Sequence, residues 1–240
     1  MRRPAAIAAL LALAALGASG CQSTQDKAAA LRAQGQEAIE TRTVKVGAEN
    51  KDVDVAGTHV LQDANGTAVV LELKNTGKDR LADVPILIDV KGADGASLYR
   101  NDIDGLEPSL QQYAVLRPGR GAVWVNDVVT AASEPKSVDA EIGKGEVLQQ
   151  AEPRVTLQNR ELREDPDGTS LTGFVANKSD IEQKDLVIFA VGYRDGKVVA
   201  AGRGQVPRVK PQARSRFNIF FIGNPKGARI ELDVPPTVTS

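Results

Sequence analysis

From about residue 43 to the C terminus, apolar residues recur at every second position, in short runs separated by Asn-Gly, Asp-Gly and Pro. "TAVVLELKN" sets Val69, Leu71 and Leu73 on one side of an extended chain, and "VPILIDV" does the same with Val84, Ile86, Ile88 and Val90. "FVANKSD", "DLVIFAVGY", "RFNIFFI" and "ARIELDV" alternate similarly and are rich in β-branched and aromatic residues. These are the marks of β-strands joined by tight turns. No window from 43 to 240 sustains a 3.6-residue apolar stripe, so the spacing predicts an all-β fold.

The pattern also repeats. "GTAVVLELKNTGKDRLADVPILIDVKGADG" from Gly66 aligns with "GTSLTGFVANKSDIEQKDLVIFAVGYRDG" from Gly168, placing Asn75 on Asn177 and Asp94-Gly95 on Asp195-Gly196. Further on, Pro118 meets Pro211, Trp124 meets Phe217, and Pro135-Lys136 meets Pro225-Lys226. The offset steps down only between apolar runs, where loops tolerate length changes. Two tandem sandwiches follow, over 43–150 and 151–240, meeting near "GKGEVLQQAEP". Their strand number and turn spacing predict immunoglobulin-like or fibronectin-like folds, without a paired-cysteine signature. The first copy carries the longer version of one segment, "SLYRNDIDGLEPSLQQYAV".

Ahead of the strands, Arg2 and Arg3 precede an uncharged run over 5–16 and the small residues Gly17 to Gly20, the layout of an export signal over 1–20. The run is shorter than the roughly 20 apolar residues a membrane span needs. Ala18-Ser19-Gly20-Cys21 resembles the bacterial lipobox, although Ala18 stands where Leu is usual. That resemblance implies lipid on Cys21, the only cysteine, and a mature chain held to a membrane by acyl chains on the extracytoplasmic side, periplasmic or at the cell surface. Stable attachment takes more than one chain. Residues 21–42 are polar and Ala-rich and read as a tether, helical at most from about Asp26 to Glu40.

Composition narrows the chemistry. With 30 Lys and Arg against 31 Asp and Glu, the formal charge of −1 argues against a nucleic-acid partner. A lone cysteine permits no disulfide. The one histidine, His59 in "AGTHVLQD", has no second histidine to share a metal and reads as a polar residue on an exposed strand face. "REDPDGTS" and "NDIDG" bunch carboxylates, but Asp-Pro and Asp-Gly are turn chemistry before they are calcium ligands. No catalytic residue, metal or cofactor is expected.

Two stretches suggest binding. Between 201 and 216 the chain carries Arg203, Arg208, Lys210, Arg214 and Arg216 with no acidic residue, suited to an anionic polymer or lipid headgroups, or to guarding a strand edge. In "FNIFFIGN", alternation sends Phe217, Ile219 and Phe221 to one face and leaves Phe220 and Ile222 on the other, to meet the neighbouring domain, a covering loop or another protein.

"LTGFVANKSDIEQKDLVIFAVGYRDGKVV", "VKPQARSRFNIFF" and "GNPKGARIELDV" are similar to two groups of bacterial envelope domains, the FxLYD domain and the YcfL type of small lipoprotein. The resemblance covers roughly 165–235 and, more faintly, 66–142; Gly192 and Tyr193 stand where FxLYD has Tyr and Asp. It implies an Ig-like fold at the cell envelope and no particular chemistry. The expectation is a non-enzymatic, lipid-anchored envelope protein whose modules bind or assemble a protein or an anionic wall polymer. The alternative is a passive spacer.

Overall fold

The computed structural model describes residues 45–131, 133–165 and 168–238, all within one compact unit. The export signal, the tether and Cys21 lie outside the described residues. As the alternation predicts, the described chain is all-β. Its first half contains β1 (Val53–Asp63), β2 (Gly66–Asn75), β3 (Leu81–Lys91), β4 (Ser97–Arg100), β5 (Gln112–Leu116), β6 (Gly121–Asn126), β7 (Ser137–Ile142) and β8 (Glu146–Val147). Its second half contains β9 (Val155–Asp165), β10 (Gly168–Asn177), β11 (Gln183–Arg194), β12 (Lys197–Val209), β13 (Arg214–Phe220), β14 (Ile222–Gly223) and β15 (Arg229–Asp233).

The pairing scheme occurs twice. β1, β2 and β6 form one sheet as β9, β10 and β13 form another, with the second strand central in each. β3 lies between β4 and β5 on one edge and β7 and β8 on the other, as β11 lies between β12 and β15. Register agrees too: Val53 pairs with Asn75, and Val155 pairs with Asn177. The halves differ where β12 runs unbroken while its counterpart is split. Asp89 pairs with Arg100 but Pro85 pairs with Gln112, because the extra residues loop out between β4 and β5 through a 3₁₀ turn at Pro108–Leu110.

One buried asparagine wires each half at the same point. Asn75 Nδ2 donates to the carbonyls of Asp79 and Leu116 while its Oδ1 accepts from the Gly77 amide. Asn177 donates to Ile181, Val209 and Lys210 and accepts from Ser179. Both are fully buried. A buried amide is tolerated there because nearly all of its hydrogen-bonding capacity is used, fastening the turn after the central strand to the opposite sheet.

The sheets stack in four layers. Leu186, Ile188 and Ala190 on one face of β11 join Leu171, Val175, Phe217 and Ile219 in the core of the second half. Val187, Phe189 and Val191, on the opposite face, belong instead to a core continuous with that of the first half. There they meet the outer face of the β1–β2–β6 sheet, marked by Ala68 and Val70 and by Glu72, which accepts a hydrogen bond from Tyr193. A strand covered on both faces has no use for alternation, which is why Leu186 to Gly192 is buried without a break. Each Val, Leu or Phe so covered contributes roughly 1.5–3 kcal/mol, so the junction between the halves is itself a hydrophobic core.

Candidate functional site

The basic stretch does not form one patch. Arg203 lies on β12 with its side chain only 9% exposed: Nε reaches Asp127 at 3.2 Å, and Nη1 reaches Glu107 at 2.9 Å and Ser109 at 2.7 Å. Its amide also donates to Asp127. Rather than facing a ligand, Arg203 clasps the second half to the first, a role open to it because the 3₁₀ turn of the insertion brings Glu107 and Ser109 within reach. Arg208 pairs with Glu182 at 3.4 Å, and Lys210 sits exposed on the turn before β13. Only Arg214 and Arg216 share a surface, lying over the Phe174 ring at 4.7 and 5.9 Å from its centre.

Phe220 is 60% exposed, as the alternation predicts. Ile222 also turns away from the second-half core, but it is covered and not free for a separate partner. The chain leaves one sheet after Phe220 and enters another as β14, pairing with β12 at Ala201, so Ile222 is buried in the core shared with the first half. Phe221 faces the core of the second half and Ile222 the core shared with the first, so the alternation carries through the change of sheet and Ile222 meets the neighbouring half, one of the covers expected for it.

Between the halves, beside the clasp, lies a cleft of about 400 Å³. Its apolar surface includes Val187, Phe189 and Pro108, and its polar groups include Asp83, Asp185 and Gln112. Asp83 and Asp185 occupy equivalent places in the two halves, each with φ of +47° near the start of its central strand. Gln112 Nε2 donates to Asp83, whose carboxyl is pushed above the usual range by partial burial and by nearby Glu146. The cleft thus has two like-placed carboxylates, amides and an aromatic floor, the make-up of a small binding site. The sequence offered a signal for it in the alignment of "LADVP" with "QKDLV", where the repeat carries Asp onto Asp.

His59 is on β1, with Nε2 3.7 Å from Glu72 Oε1, the same oxygen that accepts the Tyr193 hydroxyl at 2.8 Å. Burial first, and then Glu72, hold the Tyr193 phenol well above its ordinary pKa, so it stays a donor. A second cross-half contact joins Tyr113 to Asp233, which also accepts the Val123 amide. Burial raises the Asp233 carboxyl, against the lowering effect of these bonds. The Tyr113 ring stacks on Phe189 with centroids 5.9 Å apart. These groups tie layers together, and His59 does not line the cleft. Among the described residues no helix is long and apolar enough to cross a membrane, which leaves strand-built spans untouched.

No protein-family model matches the chain, and no curated protein matches it.

Proposed function

We propose that this is a lipid-anchored, extracytoplasmic envelope protein that works by binding, as a platform made of two Ig-like modules related by duplication. The observation that carries the reading is the clasp. Arg203, Tyr193 and Asp233 each reach across the junction, and the insertion peculiar to the first half supplies Glu107 and Ser109 to one wall of a cleft whose other wall is the second half. A spacer needs two modules in series, whereas this pair is locked side by side around a shared recess.

The anchoring part rests on the lipobox-like Ala18-Ser19-Gly20-Cys21, and the envelope setting on the FxLYD-like and YcfL-like strands. Acyl chains would fix residue 21, and the tether would give reach of tens of ångströms at ~3.3 Å per residue. The cleft would take a partner with apolar surface and hydrogen-bond donors for Asp83 and Asp185.

The experiment pairs two readouts in cells. A fatty-acid probe should label the wild-type chain and miss Cys21→Ser. A photo-crosslinking residue placed at Gln112 should capture a discrete partner that the same group at Lys51 does not. An unlabelled wild-type chain refutes the anchor; identical capture at both positions refutes the cleft.

A further inference from the structure

The outer face of the β13–β10–β9 sheet carries an arrangement that neither the fold nor the cleft explains. Strand pairing sets Arg216 beside Phe174 and Arg214 beside Ala176. The small Ala176 leaves room for the Arg214 guanidinium to lean onto the Phe174 ring, so both cations lie against that one ring. They stand two residues apart on an extended strand, about 6.7 Å along it. Among the described residues neither has a carboxylate partner at salt-bridge distance. The carboxylate on the neighbouring row, Glu161, is already paired with Arg163 at 2.9 Å. On the same face and the same strand, Asn218 is exposed and Phe220 projects into solvent.

Guarding a free strand edge does not account for these arginines. The flank of β13 is already closed by β12: Gly202 lies so near the Phe220 carbonyl that a Cβ there would collide with it, and a Cβ on Gly204 would stand 2.7 Å from the Asn218 carbonyl. Moreover, the two guanidiniums fold back over the sheet face instead of reaching past its edge. Stacking on the ring covers one side of each cation and leaves its N–H fork free to take an oxyanion in bidentate fashion.

From this we propose that the outer face of β13–β10–β9 is a membrane-contact surface, with Arg214 and Arg216 holding anionic phospholipid headgroups and Phe220 entering the interfacial layer. A bilayer is favoured over a soluble polymer because the face is the open side of a sheet, and because a 60%-exposed phenylalanine flanks the cations. An aromatic anchor beside arginines is what a headgroup layer accommodates. Two cations and one ring hold a surface modestly, enough for the unanchored chain to float with anionic vesicles in excess, and a tethered chain meets its own membrane at high effective concentration. This inference rests on the anchoring reading for the nearness of a bilayer. It predicts that the folded part lies down on the membrane instead of standing off from it.

The test uses the full mature chain with Cys21→Ser, which removes any acyl contribution, floated in density gradients with vesicles of phosphatidylglycerol alone or phosphatidylcholine alone. Flotation is expected with the anionic vesicles only, and added salt should reverse it. R214E/R216E should lower the bound fraction about tenfold or more, given four units of charge change at the surface. R214K/R216K should keep part of it, and Phe220→Ser should weaken binding several-fold. An unchanged melting curve shows that each variant is folded. The proposal is overturned if no flotation occurs, if both vesicle types bind alike, if the charge reversal has no effect, or if dextran sulfate beads retain the chain while vesicles do not. Failure of acylation would appear separately, in the labelling of wild-type Cys21.

Discussion

The two halves solve one problem in two ways. In the second, β12 runs for 13 residues beside β11 and closes its sheet with backbone bonds. In the first, the same edge of β3 is served by β4 and β5, and the gap between them is filled by a side chain. Asn101, 1% exposed, accepts the Ile88 amide on Oδ1 and donates to the carbonyls of Ile86 and Leu110, while Gln111 Nε2 closes on the Asn101 carbonyl. A strand can therefore be interrupted without cost to its neighbour when one amide side chain copies the missing ladder. The interruption frees the segment that carries Glu107 and Ser109 across to Arg203.

The largest effect should come from that substitute ladder. Asn101→Ala leaves three buried backbone groups without partners and should cost about 4 kcal/mol in urea-induced unfolding, with at least 1 per orphaned group. A loss below 1 kcal/mol would mean that water or a shifted loop takes over. Next, Arg203→Ala strands Glu107 and Asp127 at the junction and should cost about 3 kcal/mol. Unfolding should stay a single transition at lower denaturant, because the shared apolar core still couples the halves. Two transitions, resolved by Trp124 fluorescence against far-ultraviolet dichroism, would show that the clasp and not the core couples them.

Equivalence of the halves is tested by a matched pair. Asn75→Ala and Asn177→Ala should each destabilise by about 2–3 kcal/mol and agree with one another within about 1. Disagreement well beyond that would show that like wiring carries unlike weight in the two halves. The smallest effect concerns Asp233, whose carboxyl burial holds above the ordinary value in the folded chain. Between the unfolded and folded values the native state binds more protons, so this group's contribution to stability falls as pH rises through that window. Asp233→Asn should remove the slope; an unchanged slope would assign it to other carboxyls.

Much of the scaffold was legible in the sequence, because alternation and turn residues are local signals and the repeat aligns Asn75 with Asn177 and Trp124 with Phe217. The layering was not. Period two separates the sides of a strand but cannot tell which sides are covered, and "LVIFAVG" gives the same pattern whether one face or both are buried. Alternation put Ile222 on the side away from the second-half core but could not tell that the first half covers it. Arg203 was hidden in a basic run; its distinguishing mark, one charge between Gly202 and Gly204 in an apolar strand, makes sense only once β13 is seen against those glycines. The cleft was half visible, through the insertion and the repeated aspartates.

Because Val70 and Phe189 lie in one continuous core, the two halves lack the separability of independent domains. Cut at the linker, each fragment would bare a sticky apolar stripe, so the two halves must be folded and degraded as an indivisible whole.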